Sequence, residues 1–177
     1  MNHEDHVALI RDGVSRSGGH WADLGSGTGA FTLALADLLG SDGQIVSIDR
    51  DGGALGQQAT NIRARFPDVA VEYRTADFTR PLDLPPLDGI VMANALHFHR
   101  EKLLIVRRVR DYLRPGGVLV LVEYDTDGGN PWVPYPLSYD TWEAMAREAG
   151  AAEVRLLATR PSRFLGRIYS ALTRWNT

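Results

Sequence analysis

Three acids stand where this sequence can do chemistry, each closing a run that reads as a strand or following directly on one: Asp23, Asp49 and Asp77. Asp23 lies just before Gly25-Ser-Gly-Thr-Gly29, whose alternating glycines let the main chain turn tightly and bring its N–H groups against a ligand. A helix opening near Ala30 would aim its partially positive N-terminus at the same spot. That combination makes a nucleotide pocket. Gly25, Gly27 and Ala30 also fit the relaxed dinucleotide pattern G-x-G-x-x-G/A, with Asp49 where a ribose-binding acid would sit, so an NAD(P)-dependent oxidoreductase is one reading. Asp23 argues against it, because a carboxylate there repels a pyrophosphate and favours a ligand with an ammonium or sulfonium charge. Gly29, which makes the loop G-x-G-x-G, and Asp77-Phe78, an acid and an aromatic placed for an adenine ring, argue the same way.

The elements that must position these residues alternate along the chain. Val7, Ile10 and Val14 predict a helix over 4–17, with His3 and His6 in a mobile terminus. Strands are predicted at His20 to Leu24, Gln44 to Asp49, Val69 to Thr75, Gly89 to Asn94 and Val118 to Glu123. Helices are predicted from Ala30 to Gly40, over 54–65 with a weak entry at Gly52-Gly53, and from Arg100 to Leu113. The prolines of Arg80-Pro-Leu-Asp-Leu-Pro-Pro86 predict an irregular connection where alternation would put another helix. After a long loop from Tyr124 to Leu137, Asp140-Thr-Trp-Glu143 reads as a capping box for a helix ending at Gly150. Val154 to Ala158 and Arg167 to Leu172 read as a last strand pair joined through Pro161. This pattern gives an open, mostly parallel α/β sheet whose last strand is antiparallel, with helices on both faces and ligands beyond the carboxyl ends of the strands.

The chain of 177 residues is expected to form one domain over 1–177. A net charge of −3 gives no support to general nucleic-acid or anionic-lipid affinity. With no cysteine, disulfides, thiol nucleophiles and cysteine-ligated zinc are excluded. The polar opening is unlike a signal peptide and no apolar run reaches the length of a membrane span, so the expected location is cytoplasmic. His97 and His99 at i, i+2 could be metal ligands, but no carboxylate cluster accompanies them and they would point apart on an extended chain, so no metal site is expected.

Asp23-Leu-Gly-Ser-Gly-Thr-Gly29, the strand-end acid Asp49, Ala76-Asp77-Phe78, Asn94-Ala-Leu-His97 and Leu113-Arg-Pro-Gly-Gly117 resemble, in order, the motifs of the class I S-adenosylmethionine-dependent methyltransferases. The resemblance covers roughly residues 20–172. It implies a seven-stranded sheet of order 3-2-1-4-5-7-6 and S-adenosylmethionine as cofactor, with S-adenosylhomocysteine as product. It also implies that Gly25 and Gly27 approach the methionine moiety, with Ser26 between them in the cofactor-binding set. Asp49 would bind the ribose hydroxyls, Asp77 the adenine amino group, Phe78 the ring through its backbone N–H, and the backbone at Asn94 the methionine ammonium. Arg50 departs from the apolar residue usual after the ribose-binding acid, and would stack its guanidinium on adenine instead.

The expected reaction is methyl transfer by in-line displacement to an acceptor, expected to be a small molecule because little chain lies outside the sheet. A base is needed only for an acceptor protonated at working pH, and His97, His99, Tyr124 and Asp125 are the candidates. Trp132, Tyr135 and Tyr139 either cover the core or line the acceptor pocket. A nucleotide-binding scaffold without catalysis stands beside the oxidoreductase as an alternative.

Overall fold

The computed structural model describes residues 1–14 and 17–176. One sheet is built from β1 (Gly19–Leu24), β2 (Gly43–Asp49), β3 (Ala70–Thr75), β4 (Leu87–Ala93), β5 (Leu113–Tyr124), β6 (Ala151–Ser162) and β7 (Gly166–Trp175). Its order is β3-β2-β1-β4-β5-β7-β6, and β7 alone runs against its neighbours. A dinucleotide-binding sheet of order 3-2-1-4-5-6 has no such antiparallel insertion, so topology separates the two nucleotide readings.

Helices α1 (His3–Ile10), α2 (Ala30–Leu39) and α3 (Gly52–Arg65) cover one face, and α4 (Lys102–Asp111) and α5 (Tyr139–Glu148) the other. The period of two along β5 divides its apolar side chains accordingly. Leu119 and Leu121 join the core under α4 and α5, while Val118, Val120 and Val122 face α1 and α2. Residues 76–86 form no helix, as the prolines predict. Leu82 and Leu84 nevertheless pack on the α4–α5 core, and the Leu82 N–H donates to Tyr112 Oη at 2.8 Å.

Several boundaries differ from expectation. The N-terminal helix ends at Ile10 and tightens into a 3-10 turn at Arg11–Gly13, and part of the expected 4–17 span, residues 15 and 16, lies outside the described residues. His3 and His6 are not in a loose terminus. The His3 ring bonds Asp37 of α2 at 2.9 Å, and the His6 ring packs 4.9 Å from that of Phe31. Helix α3 begins two residues early because Asp51 caps it, accepting from the Gly53 and Ala54 N–H groups at 2.9 and 3.1 Å. The α5 cap is Ser138, not the Asp140 box: Ser138 Oγ accepts from Thr141 N–H, and Asp127 fixes the Ser138 N–H and hydroxyl at 2.9 Å each. The last two strands are longer than expected. Pro161 pairs within β6 opposite Arg167, which an edge strand tolerates, and the turn falls after Ser162.

Candidate active site

The chain leaving β1 folds back on β2: the Gly25 and Ser26 N–H groups both donate to the Ile48 carbonyl, at 2.8 and 3.1 Å. Gly25 has φ +77°, and a Cβ there would stand 2.6 Å from that of Ala95 and 3.1 Å from the Phe78 ring. Only glycine lets the loop close against the exits of β3 and β4. At Gly29, φ +89°, the Gln58 side chain of α3 fills the place a Cβ would take. Asp49 anchors the loop from the β2 exit, accepting from Gly27 N–H at 2.8 Å and from Asp51 N–H at 2.9 Å. A carboxylate has about four acceptor positions, so roughly two remain for a ligand.

Two adjoining cavities of about 610 and 770 Å³ open over the exits of β1 to β4 and share Gly25, Asp49, Asn94 and Phe98. The first adds Arg50, Asp77, Phe78 and His99, and the second adds Asp23, Ser26, Gly27 and His6. The nine residues expected to bind cofactor therefore surround one place. Of the four candidate bases, His99 lines the first cavity; His97, Tyr124 and Asp125 line neither.

Each member has a distinct environment. Asp77 Oδ1 accepts from the Thr79 N–H and hydroxyl at 2.9 and 2.7 Å, which lowers its pKa and leaves Oδ2 facing Arg80 at 3.9 Å. The His99 ring stands edge-on to Phe78 at 5.2 Å; burial lowers its pKa, partly offset by Asp77. Asn94 has φ +51°, the one positive φ outside glycine among the described residues, and its side-chain Oδ1 is buried without a partner. A buried acceptor without a partner, on a residue that lines both cavities, suits a ligand that donates, such as an ammonium. Asp23 is buried (1% exposed), bonded to the Thr32 hydroxyl at 2.6 Å. Burial pushes its pKa up to about 7, opposed by the Thr32 bond and reinforced by Asp49.

Behind the loop runs a polar chain that the sequence did not disclose. The Gln58 amide donates to Thr32 Oγ1, and Ser47 Oγ lies 2.9 Å from Gln58 Oε1 and 2.8 Å from Ser26 Oγ. Its one legible signal is that Gln58 sits on the buried stripe of α3 between Leu55 and Ile62. Phe98, half exposed between the two histidines and present in both cavity walls, was also missed.

On the far side of β4 the histidines part. A 3-10 turn at Leu96–Phe98 carries His97 inward, 3% exposed, with Nδ1 2.8 Å from Glu123 Oε2. Glu123 Oε1 accepts the Leu96 and His97 N–H groups at 3.0 and 3.1 Å. Asp125 is occupied, accepting from Tyr139 N–H at 2.9 Å and from Arg167 Nε at 2.7 Å. The Tyr124 phenol has its pKa raised by burial and by Glu123. In the following loop Trp132 is exposed, Tyr135 lies under Arg100 and Lys102 at 5.5 and 5.6 Å, and Tyr139 packs on Tyr169 in the core. Among the described residues no group of three or more His, Asp or Glu is arranged to hold a metal, and no helix is long and apolar enough to cross a membrane.

Comparison with known proteins gives the family and the fold. A family described as "Methyltransferase domain" matches residues 15–159. Acetylserotonin O-methyltransferase of Mus musculus is 34% identical over 151 residues, covering 78% of this chain and 37% of that protein. Carboxy-S-adenosyl-L-methionine synthase of Chromohalobacter salexigens is 32% identical over 120 residues, covering 66% and 44%. The chain thus spans less than half the length of these relatives. The crystal structure of YcgJ from Bacillus subtilis superposes with a TM-score of 0.77 at 13% identity, covering 99% of this chain and 100% of that one.

Proposed function

Since the chain belongs to the class I S-adenosylmethionine-dependent methyltransferases, we propose that it binds S-adenosylmethionine over the exits of β1 to β4 and transfers the methyl group to a small-molecule acceptor. The observation that carries this reading is the unpartnered Asn94 Oδ1, set in the same cavity walls as the two spare acceptor positions of Asp49. A ligand with an ammonium at one end and vicinal hydroxyls further along satisfies both. When bound, S-adenosylmethionine supplies a methyl group made electrophilic by a positive sulfur.

The residues divide the work. Asn94 accepts from the ammonium, and Asp49 takes the ribose hydroxyls. Asp77, held by Thr79, presents Oδ2 to the adenine amino group, with Phe78, Arg50 and His99 around the ring. Asp23, bonded to Thr32 beneath the loop, fixes the β1 exit and carries a full charge only as pH rises past about 7. Holding donor and acceptor at near-attack geometry away from water can lower a barrier by roughly 7–11 kcal/mol. Of the candidate bases only His99 lines a cavity, so an acceptor that must lose a proton would pass it to His99, while His97, buried and bonded through Nδ1 to Glu123, positions the 3-10 turn. Asp125 and Glu123 are already engaged and take no such part. Acetylserotonin O-methyltransferase is by its name an enzyme of this kind acting at oxygen.

Calorimetric titration tests the reading. S-adenosylhomocysteine is expected to bind one per chain and NAD(P) not at all; the reverse result overturns it. A labelled-methyl screen against a metabolite extract then identifies the acceptor.

A further inference from the structure

Seven large apolar side chains are exposed among the described residues, and the four aromatic ones all lie at the carboxyl end of the sheet: Phe98 (52%), Trp132 (71%), Tyr135 (39%) and Phe164 (48%). They come from three separate segments, namely the link from β4 to α4, the loop after β5, and the β6–β7 turn. Most belong to one run of rings. The Phe98 ring is 4.2 Å from His97, His97 5.9 Å from Tyr124, Tyr124 5.9 Å from Phe164, and Phe164 6.3 Å from Trp132. The run starts inside the cleft, because Phe98 lines both cavities.

The charged groups flanking it are mostly spent. Glu123 holds His97, Asp125 pairs with Arg167, and Lys102 donates to the His99 carbonyl at 2.7 Å; Arg100, over Tyr135, and Arg163, at the far end beside Phe164, remain. From these contacts we infer that the acceptor is a planar, apolar ring compound, uncharged at its reacting end, lying along Phe98, Tyr124, Phe164 and Trp132. The inference rests on the methyltransferase reading above. A small ring compound fits better than a lipid or protein surface because one end of the strip lies within the cavity wall. Ring faces reward planar partners through offset or edge contacts that a saturated molecule of equal size cannot make.

The test is calorimetry on the full chain with 2-naphthol and its saturated counterpart 2-decalol, each with and without saturating S-adenosylhomocysteine. 2-Naphthol is expected to bind one per chain and about tenfold tighter than 2-decalol. Trp132→Ala and Phe164→Ala, which remove side chains lying largely in solvent, should each weaken 2-naphthol about tenfold and leave S-adenosylhomocysteine binding unchanged. Equal affinity for the two alcohols, no binding of 2-naphthol, or variants that bind it like the parent overturn the inference. So does a sedimentation result in which the chain dimerises and Trp132→Ala abolishes the dimer, since the strip would then be an interface between copies. S-adenosylhomocysteine binding without 2-naphthol binding removes the acceptor class and keeps the methyltransferase reading. Failure of S-adenosylhomocysteine to bind removes that reading whatever 2-naphthol does.

Discussion

The fold holds the Asp23 carboxylate where its charge is poorly solvated, and the cost shows in pH dependence. Its pKa rises from 3.8 to about 7 through burial. Between those values the unfolded chain has released the proton and the native chain keeps it, so this group makes stability fall as pH rises, by up to about 1.4 kcal/mol per unit, and levels off above about pH 7. Urea midpoints measured from about pH 4 to 7 should therefore drop more steeply in the parent than in Asp23→Asn; parallel profiles would show that Asp23 does not contribute. Glu123 is the opposite case, a buried acid fully used. Glu123→Ala strands two backbone N–H groups and the His97 ring, and should cost about 3–5 kcal/mol in chemical denaturation, with Glu123→Gln recovering part. Asp49→Ala should weaken S-adenosylhomocysteine at least about tenfold, since each hydrogen bond to a charged group is worth about 1.5–3 kcal/mol. Unchanged affinity would remove Asp49 from the ribose.

Helix α3 shows what a single cap does for an element with poor propensity at its start. Gly52 and Gly53 favour coil, yet the helix begins there because Asp51 satisfies two free N–H groups. Asp51→Ala should cost about 1 kcal/mol in thermal or urea unfolding; no loss would mean water replaces the cap without penalty. The same contrast explains what was legible. Strands buried on both faces, such as β1, β2 and β4, stand out as apolar runs bounded by turn residues. The lengths of β6 and β7 did not, because they are set by cross-strand register and not by composition. The glycine loop and its three acids could be read because a ligand cradle concentrates them at strand exits in a fixed order. Gln58 and Ser47 could not, because their partners lie 26 and 21 residues away and meet only after folding. The divergence of His97 and His99 needed the 3-10 turn, which no periodicity announced.

Across the whole molecule, protection is graded outward from the middle of the sheet. The apolar side chains of β4 and β5 are buried in both cores, whereas β3 is an edge strand whose residues are half-buried or exposed. Amide hydrogen exchange should be slowest in β1, β4 and β5 and fastest in the two edge strands, β3 and β6; equal protection there would show that the edges are covered in solution. The antiparallel β7 has another effect. Because it returns beside β5, the β6–β7 turn arrives at the same end of the sheet as the cofactor loops. The donor contacts come from segments up to His99, while Trp132 and Phe164 come from the loop after β5 and that turn. On the reading proposed above, most of the acceptor strip lies later in the chain than the donor contacts, so exchanging the turn at 163–165 and the loop at 128–136, which leaves Asp127 in place to hold Ser138, is expected to change the acceptor while S-adenosylhomocysteine binding stays the same.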